Sequence, residues 1–188
     1  MNILVINGSP REKSMTRNLT NTIIDQLDEK GINVFSFDVN FHELPLFKGE
    51  SSDLEHPEVK RLVQYATKAD AFFLCSPEYH NGMSGALKNA LDFLGGSHFK
   101  HKPAALASVG GGGKGGINAL NNMRTVMRGL YALALPDQFC ADPTCFDEKG
   151  DMADSKAKER LTVVVNELVS LTTQVSQSSA QKQQNASS

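Results

Sequence analysis

No stretch of this chain stays apolar for the roughly 20 residues that a membrane-spanning helix needs. The opening residues enter an apolar strand with no charged or apolar leader ahead of it, so secretion is not expected and a cytoplasmic location is. Charge of one sign is also scarce. The chain has 19 Lys and Arg against 21 Asp and Glu, a formal net charge of −2. It has no basic stripe for nucleic acid, and its balance is too mild for the acidic steering surface of a small electron carrier. Cysteine is rarer still. Three residues, an odd number without zinc-like pairing, suit a reducing compartment and give no metal site. Cys140 and Cys145 read as spectators rather than a redox pair.

What is present is one domain's worth of core. Of 188 residues, 40% are hydrophobic, and a domain spanning 1–175 buries a substantial interior. Residues 176–188 are rich in Gln, Ser and Asn without apolar period, and are expected to form a disordered tail.

Along the chain, short apolar runs alternate with longer helical periods. Asn2-Ile3-Leu4-Val5-Ile6-Asn7 reads as strand one, and Leu19, Ile23 and Leu27 step by four along helix one. A second strand is expected over 33–39. Pro57 opens helix two, whose stripe is Val59, Leu62, Val63 and Ala66. Ala71-Phe72-Phe73-Leu74-Cys75 is the third strand, and helix three is expected over 84–94 with Ser84 as its cap. A fourth strand follows over 103–109, then a helix carrying Ile117, Leu120, Met123, Met127 and Leu130. A short fifth strand is expected near 138–140 and a last helix over 154–175. Strict β-α alternation implies an α/β fold: a doubly wound, five-stranded parallel sheet with helices on both faces.

Two loops stand out. After strand one, Gly8-Ser9-Pro10-Arg11-Glu12-Lys13-Ser14-Met15-Thr16 offers three hydroxyls and a guanidinium at a helix N-terminus. That combination suits a phosphate. It is not a Walker A loop, since no Gly-Lys-Ser/Thr follows, and Gly8 lacks the further glycines of a dinucleotide fingerprint. After strand three, Ser76-Pro77-Glu78-Tyr79-His80-Asn81-Gly82-Met83-Ser84 is longer than an ordinary strand-to-helix connection. In the flavodoxin-like order 2-1-3-4-5, the switch point lies between strands one and three, so both loops would flank one crevice. The glycine run 110–116, behind Ser108 and including Gly110 and Gly111, formally matches a dinucleotide pattern. It follows the fourth strand rather than the first, and close backbone approach to a flat ligand is the preferred reading.

Together these segments resemble the NADPH-dependent FMN reductases, the flavodoxin-like group that includes bacterial azoreductases and quinone or chromate reductases. Within it, the Bacillus azobenzene reductase type is the nearest pattern. Gly8-Ser9-x-Arg11-x-x-Ser14-x-Thr16 is similar to the family's FMN-phosphate loop. Ser76-Pro77-Glu78-Tyr79-His80 with Gly85-Ala86-Leu87-Lys88-Asn89-Ala90-Leu91-Asp92 is similar to its isoalloxazine loop and following helix. The chain departs in having His80 where many members have Asn, Phe93 where Trp is frequent, and no tryptophan at all.

The resemblance implies an FMN-containing oxidoreductase that takes hydride from NADPH or NADH and passes electrons to a small-molecule acceptor by a ping-pong mechanism. It also implies a homodimer or homotetramer, and no catalytic side chain is required. Ser9, Arg11, Ser14, Met15 and Thr16 would hold the phosphate. Pro77, Glu78, Tyr79, His80, Asn81 and Gly82, with Ser108, Gly110 and Gly111, would line the ring. Two alternatives remain open on sequence grounds: a flavodoxin-type electron carrier without a nicotinamide site, and a flavin-free α/β module.

Overall fold

Alternate residues of the first strand face opposite sides, as the two-residue period of a strand requires, and both sides are apolar. The computed structural model describes residues 1–110 and 115–186. In it, β1 (Asn2–Asn7) is an interior strand of a parallel sheet. On one side it pairs with β2 (Asn33–Asp38), on the other with β3 (Ala71–Tyr79). β3 pairs in turn with β5 (Pro103–Val109). Leu4, Ile6, Phe37, Phe72, Leu74 and Leu106 point to one face, beneath α2 (Pro57–Lys68), α3 (Gly85–Asp92) and α5 (Ile117–Gly129). Ile3, Val5, Phe73, Cys75, Ala105 and Ala107 point to the other. There α1 (Met15–Asp28) and α6 (Ser155–Ala186) cover them with Leu19, Ile23, Leu161, Val165 and Leu168. Such two-sided burial is why these strands read as continuous apolar runs.

The order β2-β1-β3-β5, closed at the edge by β6 (Leu133–Ala134), is the expected flavodoxin-like one. Only the labels shift, because a short antiparallel strand, β4 (Gly82–Met83), lies between the third and fourth core strands. The fifth strand, expected as one piece, is split. β6 (Leu133–Ala134) pairs with the start of β5, and β7 (Phe139–Ala141) pairs with its end. Pro136 stands between them and cannot donate to a ladder.

Three other boundaries differ from expectation. β3 does not stop at Cys75: Ser76 and Pro77 continue in register with Ser108 and Val109. Helix three ends at Asp92, and a separate turn, α4 (Gly96–Phe99), follows Gly95. The last helix continues to Ala186 instead of ending at Val175. Gln, Ser, Ala and Lys are compatible with a helix once α6 has been nucleated by its buried stripe. The stripe itself ends near Thr172, and Ser176, Gln177 and Ser178 are exposed. Among the described residues no helix is long and apolar enough to cross a membrane.

Candidate functional site

A cleft of about 310 Å³ opens at the carboxyl ends of β1, β3 and β5, where open α/β sheets take their ligands. Ser9, Arg11, Ser14, Met15 and Thr16 line one end. Pro77, Glu78 and Tyr79 line the other, with Val109 and Gly110. Both expected loops therefore meet in one crevice. The Arg11 guanidinium lies 5.2 Å from the centre of the Tyr79 ring, bridging them.

The loop after β1 is shaped by local bonds. Ser14 caps α1, its hydroxyl accepting from the Arg17 N–H at 3.3 Å. The Arg11 N–H donates to Ser9 Oγ (3.4 Å), and the Ser9 N–H to Asn7 Oδ1 (3.2 Å). Gly8 connects this loop to the next one. Its N–H donates to the Cys75 carbonyl (2.8 Å), and its carbonyl accepts from the Ser84 hydroxyl. The Ser84 hydroxyl also accepts from the Leu87 N–H (3.0 Å), capping α3, and the Ser84 N–H donates to Ser76 Oγ (3.0 Å).

The second segment is a β-hairpin rather than an irregular loop. Glu78 pairs with Met83 and Tyr79 with Gly82, leaving His80 and Asn81 as the two-residue turn. Their φ values are 50° and 64°. Two consecutive left-handed residues match the twist of a hairpin, and Asn tolerates that conformation better than most side chains. Gly82, in contrast, has no positive φ among the described residues, and a Cβ built on it meets nothing closer than 3.7 Å. The turn's unusual backbone therefore belongs to His80 and Asn81.

Glu78 lines the cleft but spends its carboxylate elsewhere. Its Oε2 accepts from the N–H groups of Asn118 (2.9 Å) and Ala119 (3.1 Å) at the start of α5. The N-cap of α5, Gly116, has no side chain to do this, so a carboxylate from the hairpin satisfies the helix's free donors and its positive end. Asn118 Nδ2 also reaches Asn81 Oδ1 (3.2 Å), holding the turn to the same helix.

Of the remaining expected residues, His80 and Asn81 are exposed at the hairpin tip. With Gly82 and Ser108, they lie outside the wall of the cleft. Ser108 is fully buried and donates to the Ser76 carbonyl at 2.8 Å, stitching β5 to β3. Gly110 meets the cleft, but its glycine answers to packing. A Cβ there would lie 2.5 Å from the Gly116 nitrogen, and one on Gly116 2.2 Å from Ser108 Oγ. Gly111 lies outside the described residues. The spectator reading of Cys140 fits its surroundings, and Cys75, which lies outside that reading, is buried as well. Burial pushes the Cys75 thiol up to about 12 and the Cys140 thiol up to about 11, which suppresses the reactive thiolate.

Sequence reasoning missed several residues. Lys13, Val109 and Pro143 also line the cleft. Arg17 and Asp38 form an ion pair behind the first loop, at 2.6 Å. Pro143 belongs to a distant loop without a motif. Arg17 sits just past the Ser14-x-Thr16 pattern and looks in sequence like an ordinary exposed helix residue.

The donor set fits a phosphorylated flavin. Hydroxyls, a guanidinium and a helix N-terminus converge at one end of the cleft, while backbone and an aromatic ring border the other. Residues 1–145 match the family model described as NADPH-dependent FMN reductase. An NADPH azoreductase of Bacillus sp. (strain OY1-2) is 45% identical over 168 residues, spanning 89% of this chain and 90% of that protein. An FMN-dependent NADPH-azoreductase of Staphylococcus aureus (strain USA300) is 32% identical over 180 residues, spanning 89% and 93%. Among solved structures, the NAD(P)H:(acceptor) oxidoreductase FerB from Paracoccus denitrificans superposes with a TM-score of 0.78. At 20% identity, covering 92% of this chain and 97% of that one, it shows the shared flavodoxin-like fold. This chain belongs to the NADPH-dependent FMN reductases.

Proposed function

We propose that this protein binds FMN in the cleft, takes electrons from NADPH and delivers them to azo compounds, quinones or related small acceptors. One observation carries this reading: the hydroxyl- and arginine-bearing loop and the hairpin border one cleft at the switch point of the sheet. The family match and the two azoreductase relatives support it.

When bound, FMN supplies the redox chemistry, accepting hydride and passing electrons on. The chain's own residues bind and orient it. Ser9, Arg11, Ser14 and Thr16, with the N–H groups that open α1 at Met15, hold the phosphate. Pro77, Tyr79 and Gly110 border the ring, and Glu78 holds the hairpin to α5. No side chain is assigned a proton transfer.

With one exposed flavin face serving donor and acceptor in turn, the kinetics are ping-pong. The protein acts in the cytoplasm, as a homodimer or homotetramer. The exposed Phe41, Leu46, Phe47 and Leu54, gathered on one connecting segment, support association. Residues 1–175 form the working domain.

The test is anaerobic stopped-flow mixing of the FMN-loaded protein with NADPH. Rapid two-electron bleaching, followed by reoxidation with an azo dye or quinone, is the expected result. Flavin that stays oxidised with NADPH and NADH, yet is reduced by dithionite, would reject the reductase reading in favour of a carrier.

A further inference from the structure

Behind the phosphate loop, on the side away from the cleft, lies a polar network that no part of the binding scheme uses. Its hub is Asp38, at the end of β2. The Asp38 Oδ2 accepts from Arg17 Nε (2.6 Å) and Asn7 Nδ2 (2.8 Å). Its Oδ1 accepts from the Asn40 N–H (2.8 Å) and Arg17 Nη2 (3.2 Å). Arg17 then reaches forward: Nη2 donates to the Arg11 carbonyl (3.0 Å) and Nη1 to the Glu12 carbonyl. Asn7 reaches the other end of the loop by accepting from the Ser9 N–H. Both ends of the segment thus hang on a single carboxylate. Side-chain exposure is only 15% for Arg17 and 12% for Asp38, and the Phe41 ring lies 4.7 Å from the guanidinium.

The direction of those carbonyls matters. Among the described residues no peptide bond is cis, and in a planar trans peptide the C=O and the following N–H point opposite ways. Drawing the Arg11 and Glu12 carbonyls toward Arg17 turns the N–H groups of Glu12 and Lys13 away from it. Arg17 does not line the cleft, whereas Arg11 and Lys13 do. Successive N–H groups turned to one side make an anion-binding concavity. Only an arginine fork can serve two carboxylate oxygens and two carbonyls in this way.

We propose that Arg17 and Asp38 are positioning residues: they hold the backbone of 9–13 in its anion-binding shape and so set the preference for FMN over riboflavin. This rests on FMN occupying the cleft as proposed above. Neither side chain would touch the cofactor.

The test is titration of the apoprotein with FMN and with riboflavin, followed by flavin fluorescence, alongside thermal melting. Arg17→Met and Asp38→Asn should each raise the Kd for FMN at least tenfold and leave that for riboflavin within twofold. The double variant should be little worse than Arg17→Met alone, as for two members of one network. Should Arg17→Met fail to melt cooperatively, Arg17→Lys decides: it keeps the charge but not the fork, and the FMN-to-riboflavin ratio should still fall. Equal weakening of both flavins, or an unchanged ratio, would overturn the proposal. A wild-type protein holding riboflavin as tightly as FMN would remove the phosphate site itself, and the proposal with it.

Discussion

Gly8 joins the two halves of the site, and Gly8→Ala tests that joint directly. An added Cβ would stand 2.7 Å from the Leu87 Cβ, 2.8 Å from the Cys75 carbonyl oxygen and 3.1 Å from Leu87 Cδ2. Two of these are rigid. The Cys75 oxygen is fixed by the Gly8 N–H itself at 2.8 Å, and Leu87 is fully buried in α3. Overpacking of this kind costs about 1–3 kcal/mol. Relief by moving the backbone would strain the Gly8–Cys75 and Gly8–Ser84 bonds, each worth about 1 kcal/mol. The sum is roughly 3–5 kcal/mol, and at about 2–4 °C per kcal/mol for a chain of this size the melting temperature should fall by about 6–20 °C. FMN affinity should fall with it, because β1 and β3 would no longer present their loops together. Gly85→Ala is the control. Nothing lies within 4 Å of a Cβ there, so a gain of about 0.4–1 kcal/mol is expected from the stiffer unfolded chain. Thermal melts and FMN titrations of both variants decide the matter. A Gly8→Ala protein that melts within 2 °C of wild type (~2 °C being the scale of about 0.5 kcal/mol) and binds FMN normally would refute the reasoning.

Two further outcomes follow from the same geometry. Arg11→Ala removes the guanidinium at the phosphate end of the cleft. At about 1.5–3 kcal/mol for a charge-assisted bond, FMN should bind roughly 10- to 150-fold more weakly, with riboflavin nearly unaffected in parallel titrations. Deleting residues 177–188 should leave melting temperature and flavin content unchanged, since among the described side chains of α6 the last buried one is Thr172; loss of either in a truncated preparation would mean that the helix end docks on something.

The architecture was legible because it depends on local signals. β1, β3 and β5 are each buried on both faces, so their apolar runs are unbroken, and the cap at Ser84 stands where the pattern required it. The hairpin was not legible. Ser76 to Gly82 contains Pro, Glu and Gly, a loop composition, and it becomes strand only because β5 supplies a parallel partner and the chain folds back on itself. The split at Pro136 was signalled by the proline, but its two halves pair with opposite ends of β5, which only the assembled sheet decides.

By itself, the sequence determined the alternation of strands and helices, the two loops at the switch point and the chemical character of the phosphate end. Those features follow from composition and spacing within a few residues of each other. Tertiary structure decided what each polar group does. Glu78, which looks like a site carboxylate, is turned to the N-terminus of a helix some forty residues away in sequence. Gly110 is small because Gly116 crosses it, and Arg17 serves the loop because β2 brings Asp38 to meet it. Each of these assignments depends on a partner distant in the chain, and no local pattern records which distant residue will arrive.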